Sequence, residues 1–165
     1  MVGVEHDVIR EIEKQEGHSF TQKAEKFLRE ALKDKNLSQL STEIKEALFI
    51  PGGIADRIAK SVRNINKTQL RKQFNQLKNV KHKVKSLSRE EKLNEEVRLE
   101  LSRFAYLLAY TVNRKVQGRP LFDKDLYMLI SFLIKKVKDG TREDFELFEN
   151  FVEAIIAFHT YHHED

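Results

Sequence analysis

The sequence predicts an all-α fold, a compact helical bundle of five to seven helices. Three observations carry this expectation. The 165 residues include only two prolines and six glycines, so breaks are few and elements are long. Apolar residues recur at helical spacing along most of the chain. No stretch alternates apolar and polar residues with the two-residue period of a strand. At this length one domain is the expectation, residues 1–165, and 40% apolar residues suffice for one core.

Each element follows from local signals. Residues 1–50 read as an N-terminal helical segment. Val4, Val8, Ile9 and Ile12 keep helical spacing, and Gly17 stops them. Ser19 and Gln22 form a capping-box pattern ahead of a stripe made by Phe20, Ala24, Phe27, Leu28, Ala31 and Leu32. Ser41–Leu48 reads as a short helix. Pro51-Gly52-Gly53 is the strongest break in the chain and a candidate hinge. Ile54, Ile58, Val62 and Ile65 fit a helix of about three turns. Asn66 is then a good N-cap, with Gln69 at N3, and Ile65 and Leu70 would staple across it. The following helix carries Leu70, Phe74, Leu77 and Val84 on one face. Lys81–Lys92 reads as a loop or a fraying helix end.

Residues 93–116 are the best core candidate. Val97, Leu101, Phe104, Leu108 and Val112 keep the spacing, while Leu107, Ala109, Tyr106 and Tyr110 make the helix apolar nearly all round, so it should lie centrally. Gly118 and Pro120 end it. Asp123 caps Lys124–Lys138, and Gly140 closes that helix. Thr141 and Asp144 form a capping box for a last helix to about Tyr161, rich in phenylalanine and isoleucine. The three long apolar C-terminal helices are expected to form the core.

Composition excludes several functions. With no cysteine there are no disulfides, thiolate nucleophiles or cysteine-bound metals, which fits a cytoplasmic location. The longest apolar run, Phe104–Tyr110, is far shorter than the roughly 20 residues of a membrane span. The first residues show no basic stretch followed by an apolar one, so no signal peptide is expected. No glycine-rich phosphate loop, no nucleophile elbow and no arginine followed closely by histidine is present. The chain is therefore read as no enzyme, with no cofactor and no metal. His159, His162 and His163 have a spacing that would set two imidazoles together, but a lone cluster at a chain end is weak support for a metal site.

The charge is unevenly placed. From Arg57 to Arg89 there are eleven basic residues and no acidic one, leaving 19 basic against 26 acidic residues elsewhere. A solvated helix normally mixes signs, so a one-signed stretch points to an anionic partner, most commonly a polyphosphate backbone. The competing reading has this basic patch face the acidic C-terminal part, since residues 139–165 hold eight acids and one base. On a helical wheel Lys67, Arg71, Lys78 and Lys85 fall within roughly 40° of one another, beside the apolar face. At 1.5 Å per residue the stripe is about 27 Å long. No aromatic interleaves with it except Phe74, which is committed to the core, so backbone tracking without base stacking is expected. Thr68 and Gln69, in the first turn of that helix, add donors where free N–H groups already attract phosphate. Lys60, Arg63 and Lys81 join the site on charge pattern alone. Arg114 reads either as a further phosphate contact or as a cation on its own helix end.

Thr68-Gln69-Leu70-Arg71-Lys72-Gln73-Phe74, Leu108-Ala109-Tyr110 followed by Arg114, and Phe148 to His159 together resemble the small-subunit family of type III-A CRISPR interference complexes, the Csm small subunit. The resemblance covers roughly residues 55–162 and makes 54–165 a family-like core. It departs from the family at Ala157-Phe158-His159, where a tyrosine is usual before the histidine. It implies a non-catalytic helical subunit of antiviral defence that stacks in several copies beside other CRISPR effector subunits, along paired target RNA and guide RNA. Sequence would then be read by base pairing and the protein would supply backbone charge. By resemblance Lys67 and Arg71 carry over best as RNA contacts, and Arg114 next. A protein–protein adaptor, whose basic face meets an acidic partner or another copy, is the alternative.

Overall fold

Nearly every local helix signal is realised. The structure, a computed structural model, describes residues 4–62, 67–112, 114–116, 119–120 and 122–163. The helices are α1 (Val4–Glu13), α2 (Phe20–Ala31), α3 (Thr42–Phe49), α4 (Ile54–Ser61), α5 (Lys67–Val84), α6 (Glu95–Val112), α7 (Lys124–Lys138) and α8 (Arg142–His162). A 3-10 turn at Leu37–Gln39 joins α2 to α3. The all-α class holds, and counting the two-turn helices α3 and α4 separately brings the α-helices among the described residues to eight. One small hairpin was not anticipated: β1 (Lys115–Val116) pairs antiparallel with β2 (Arg119–Pro120). Strands of two residues are too short to show any alternation. The cap read at Asn66 with its Ile65 partner, the site residue Arg63, the Gln69 side chain and the stop at Gly118 lie outside the described residues.

Caps act where the local pattern placed them. Ser19 Oγ accepts from Gln22 N, and Asp123 Oδ1 accepts from Leu126 N at 2.9 Å. The Gln22 side chain does not close the box on Ser19. It accepts from His18 N and donates to Asp125, which also accepts from the Ser19 hydroxyl, so α2 is tied to α7. Thr141 and Asp144 complete a reciprocal box at the start of α8. Asp144 is buried and also accepts from Ser38 N at 2.8 Å, which fastens the 3-10 turn to α8. Asp144→Ala is expected to cost about 2 kcal/mol, since it removes a cap and leaves two partly buried N–H groups unpaired. Urea unfolding measures this directly.

Apolar residues from all eight helices share one cluster. Its axis is α8, which buries Phe145, Phe148, Phe151, Val152 and Ile155 and packs on α3, α4, α5 and α7. The expectation that residues 93–116 lie centrally is corrected. The helix there packs on α5 and α7 with Val97, Leu101, Phe104 and Leu108, but Leu99, Tyr106 and Tyr110 are each more than 60% exposed. Wheel arithmetic counts tyrosine as apolar, yet a phenol can stand in water.

The most extensive helix pairing joins α4 to α8. On α4, Ala55 and Ala59 lie one turn apart and are fully buried, and small side chains let helix backbones approach. Three histidines fasten the pair. His159 donates from Nε2 to the Val62 carbonyl at 2.9 Å, and His163 Nε2 lies 3.0 Å from the Ala59 carbonyl. His162 bonds to Asp56, whose carboxylate also accepts from Gly52 N at 2.7 Å. Ala59 lies in the last turn of α4 and Val62 is its C-cap, where carbonyls run out of partners within the helix.

Candidate nucleic-acid interface

Helix α5 holds most of the predicted site. Its apolar face, Leu70, Phe74, Leu77, Val80 and Val84, is buried, with Phe74 meeting Phe104 of α6 and Phe122 at ring distances of 5.7 and 5.9 Å. That burial fixes the rotation of α5 and therefore which cations face water. Arg71, Lys72 and Lys78 are exposed along the helix, as are Thr68 at its start and Lys85 just past its end. Lys67 is half-buried. Lys72 was missed on the wheel because it lies off the Lys67–Lys85 line. The backbone bond from Lys85 N to Lys81 O carries the helical turn through Lys85.

The structure divides the one-signed segment into two groups. Arg57 pairs with Glu13, Lys81 with Glu149 at 3.6 Å, Lys83 with Glu96 and Glu100, and Arg89 with Glu143 at 2.8 Å. The intramolecular reading is thus realised for these residues, and for Lys81 and Arg89 the partner is the acidic C-terminal helix. Lys81 is consequently engaged within the fold. In contrast, no carboxylate among the described residues pairs with Arg71, Lys72, Lys78 or Lys85. Lys60 is exposed on α4, and its charge helps hold the Asp56 carboxyl down. Burial alone would raise Asp56, but the bonds from His162 and Gly52 outweigh it and leave the pKa below the usual carboxylate value.

Arg71 and Lys78 form the cationic wall of a groove of about 500 Å³ between α5 and α8. Arg71 Nη2 donates to Thr160 Oγ1 at 3.1 Å across it. The α8 wall carries Glu149 and Glu153. Glu149 is 2% exposed, and its Oε1 has no hydrogen-bond partner, the Lys81 ammonium being too distant for one. Burial raises its pKa to about 7, the adjacent Glu153 adds to this, and Lys81 opposes it. His159 shifts the other way. Burial, then the neighbouring His163, lowers it to about 4, so the ring is neutral near pH 7. Among the described residues no group of three metal-ligating side chains converges, and the terminal histidines are instead bound to α4.

Arg114 follows α6 and is exposed, with its guanidinium 5.4 Å from the Tyr110 ring centroid. It therefore belongs to α6, apart from the cationic wall of the α5–α8 groove. The same outer face of α6 carries Arg103, which the charge pattern did not select; its four-residue spacing from Leu99 and its place beside Tyr106 were the available signal. Among the described residues no helix is long and apolar enough to cross a membrane.

Searches of curated proteins and of solved structures returned no match. A family model, Csm2 Type III-A, matches residues 51–165, which begins at the α3–α4 elbow and takes in α4 to α8, and the chain belongs to that family.

Proposed function

We propose that this chain is a non-catalytic small subunit of a type III-A CRISPR RNA-guided effector complex and holds the backbone of target RNA, or of the guide–target duplex, on α5. In this reading it stacks in several copies beside other subunits of the complex, acts in the cytoplasm and serves antiviral defence. The observation that carries the reading is the set of exposed cations without carboxylate partners, Arg71, Lys72, Lys78 and Lys85, on a helix whose orientation the core fixes. They lie over about 21 Å, a length that spans several phosphates. Lys67 and Thr68 extend the line to the helix start. Lys60 and Arg114 supply charge on neighbouring elements. No phenylalanine or tyrosine ring is exposed among the described residues of α5, so contact there is to phosphate and independent of sequence.

The test is fluorescence anisotropy with a single-stranded RNA of about 40 nucleotides at two salt concentrations. The double variant Lys67→Glu/Arg71→Glu is expected to bind at least tenfold more weakly, with a salt slope smaller by about two. Unchanged affinity and slope, with unchanged helicity by circular dichroism, would overturn the assignment. Self-association weakened by salt, without RNA affinity, would favour the adaptor reading instead.

A further inference from the structure

Helix α6 presents an outward ridge that its packing does not use. Leu99, Arg103, Tyr106 and Tyr110 follow one another at i, i+4, i+7 and i+11 and so share a face. Leu99 is 62%, Tyr106 61% and Tyr110 64% exposed. Arg103 and Arg114 are exposed as well, and no carboxylate among the described residues pairs with either. Arg114 already lies over the Tyr110 ring. Beside the ridge a cleft of about 240 Å³ separates α5 from α6. It is bordered by Arg103 and Leu107 and by the amides of Gln76 and Asn79. Its one acid, Glu100, is bound to Lys83 at 3.5 Å.

We infer that this ridge is a second RNA contact, one that stacks unpaired bases of a single strand on Tyr106 and Tyr110. Charge selects the occupant: two arginines without carboxylate partners flank the rings, which suits a polyanion. A two-fold contact of this ridge between copies of this chain would instead gather four arginines without carboxylate partners into one interface. Ring chemistry selects the part of the polyanion. An exposed tyrosine offers a flat face for a base and an OH to water. The two rings are one helical turn, about 6 Å, apart, so they form two platforms and not one. Gln76 and Asn79 can each give and take a hydrogen bond at a base edge exposed in the cleft. Paired bases cannot enter such an arrangement, because their faces are covered within the duplex. The inference rests on the proposed RNA-binding role and adds to it a preference for unpaired strand.

Four tyrosines and no tryptophan make intrinsic tyrosine emission a direct probe. The full chain is titrated with a single-stranded RNA of about 20 nucleotides, with its duplex, and with an abasic strand of equal length. The base-bearing single strand is expected to quench the emission, and the abasic strand to leave it unchanged. Tyr106→Ala/Tyr110→Ala should weaken single-strand binding at least tenfold, leave duplex binding unchanged, and be rescued by Tyr106→Phe/Tyr110→Phe, which keeps the rings. Equal affinity for abasic and base-bearing strands, or unaltered affinity in the alanine variant, overturns the inference while leaving the backbone reading intact. A change confined to sedimentation overturns it in favour of contact between copies. Quenching that survives Lys67→Glu/Arg71→Glu without loss of affinity would retain the ridge and remove the α5 site. No binding of any strand defeats both.

Discussion

Gly53→Ala is expected to lower the unfolding free energy by about 3 kcal/mol or more, with loss of the α3–α4 elbow. A β-carbon at this position would lie 2.2 Å from the Ala47 carbonyl oxygen and 2.9 Å from the Ile50 carbonyl oxygen. Both are backbone atoms of α3 and its end, so relief requires moving that helix away from α4. Gly53 is also buried, and its N–H bonds to Ile50 O at 2.9 Å, so the elbow has little freedom to open. Gly52 is the matched control. Its φ is +80°, which costs a side chain roughly 1–2 kcal/mol, but a β-carbon there meets nothing. Urea midpoints of the two variants should therefore separate clearly. Equal losses would mean that backbone conformation, and not contact, sets the requirement for glycine. The Pro51-Gly52-Gly53 segment, a hinge candidate by composition, is closely packed at Gly53, while Pro51 and Gly52 stand exposed.

The second large effect is a pH profile built from two opposing groups. His159 has its pKa lowered from 6.5 to about 4 in the folded chain. The unfolded chain takes that proton more readily, so the stability His159 contributes is whole above pH 6.5 and is lost as pH falls toward 4. Glu149 has its pKa raised from 4.5 to about 7. The folded chain holds that proton more tightly, so its contribution is whole below pH 4.5 and is lost as pH rises through 7. Each contribution amounts to at most about 3 kcal/mol. Between pH 4.5 and 6.5 the two slopes oppose, and the parent profile is flattened there. Glu149→Gln should expose the His159 slope and should be more stable than the parent at pH 8, by up to about 3 kcal/mol, with little difference at pH 4. Lys81 is half-exposed and stays solvated when its partner is neutral. Denaturant midpoints across this range read both effects; identical stabilities at pH 8 would show that Glu149 carries no burial penalty.

Local physics accounts for what was legible in advance. Ser19, Asp123 and the Thr141–Asp144 box act within four residues of themselves, so spacing alone located them. The Thr68–Phe74 and Phe148–His159 motifs were legible in the same way, and the family match bears that resemblance out. Pairing across the fold was not legible. Arg89 and Lys83 look like Lys72 and Lys78 in sequence, and only the approach of α6 and α8 gives the first two a carboxylate. The terminal histidines read only as a lone cluster at a chain end, because nothing local shows the end of α4 beneath them. Tyr106 and Tyr110 were assigned to the interior because periodicity reports which residues share a face and leaves open which face is covered.

The α4–α8 pairing also bears on synthesis. The bond from His159 to Val62 spans 97 residues. At about 5–20 residues per second, α4 waits on the order of 5–20 s before α8 emerges to cover it. During that interval Ile54, Ala55, Ile58 and Ala59 have only the earlier helices for shelter. A nascent chain stalled before α8 should therefore recruit chaperones and be cut readily by protease, and release of the final helix should end both.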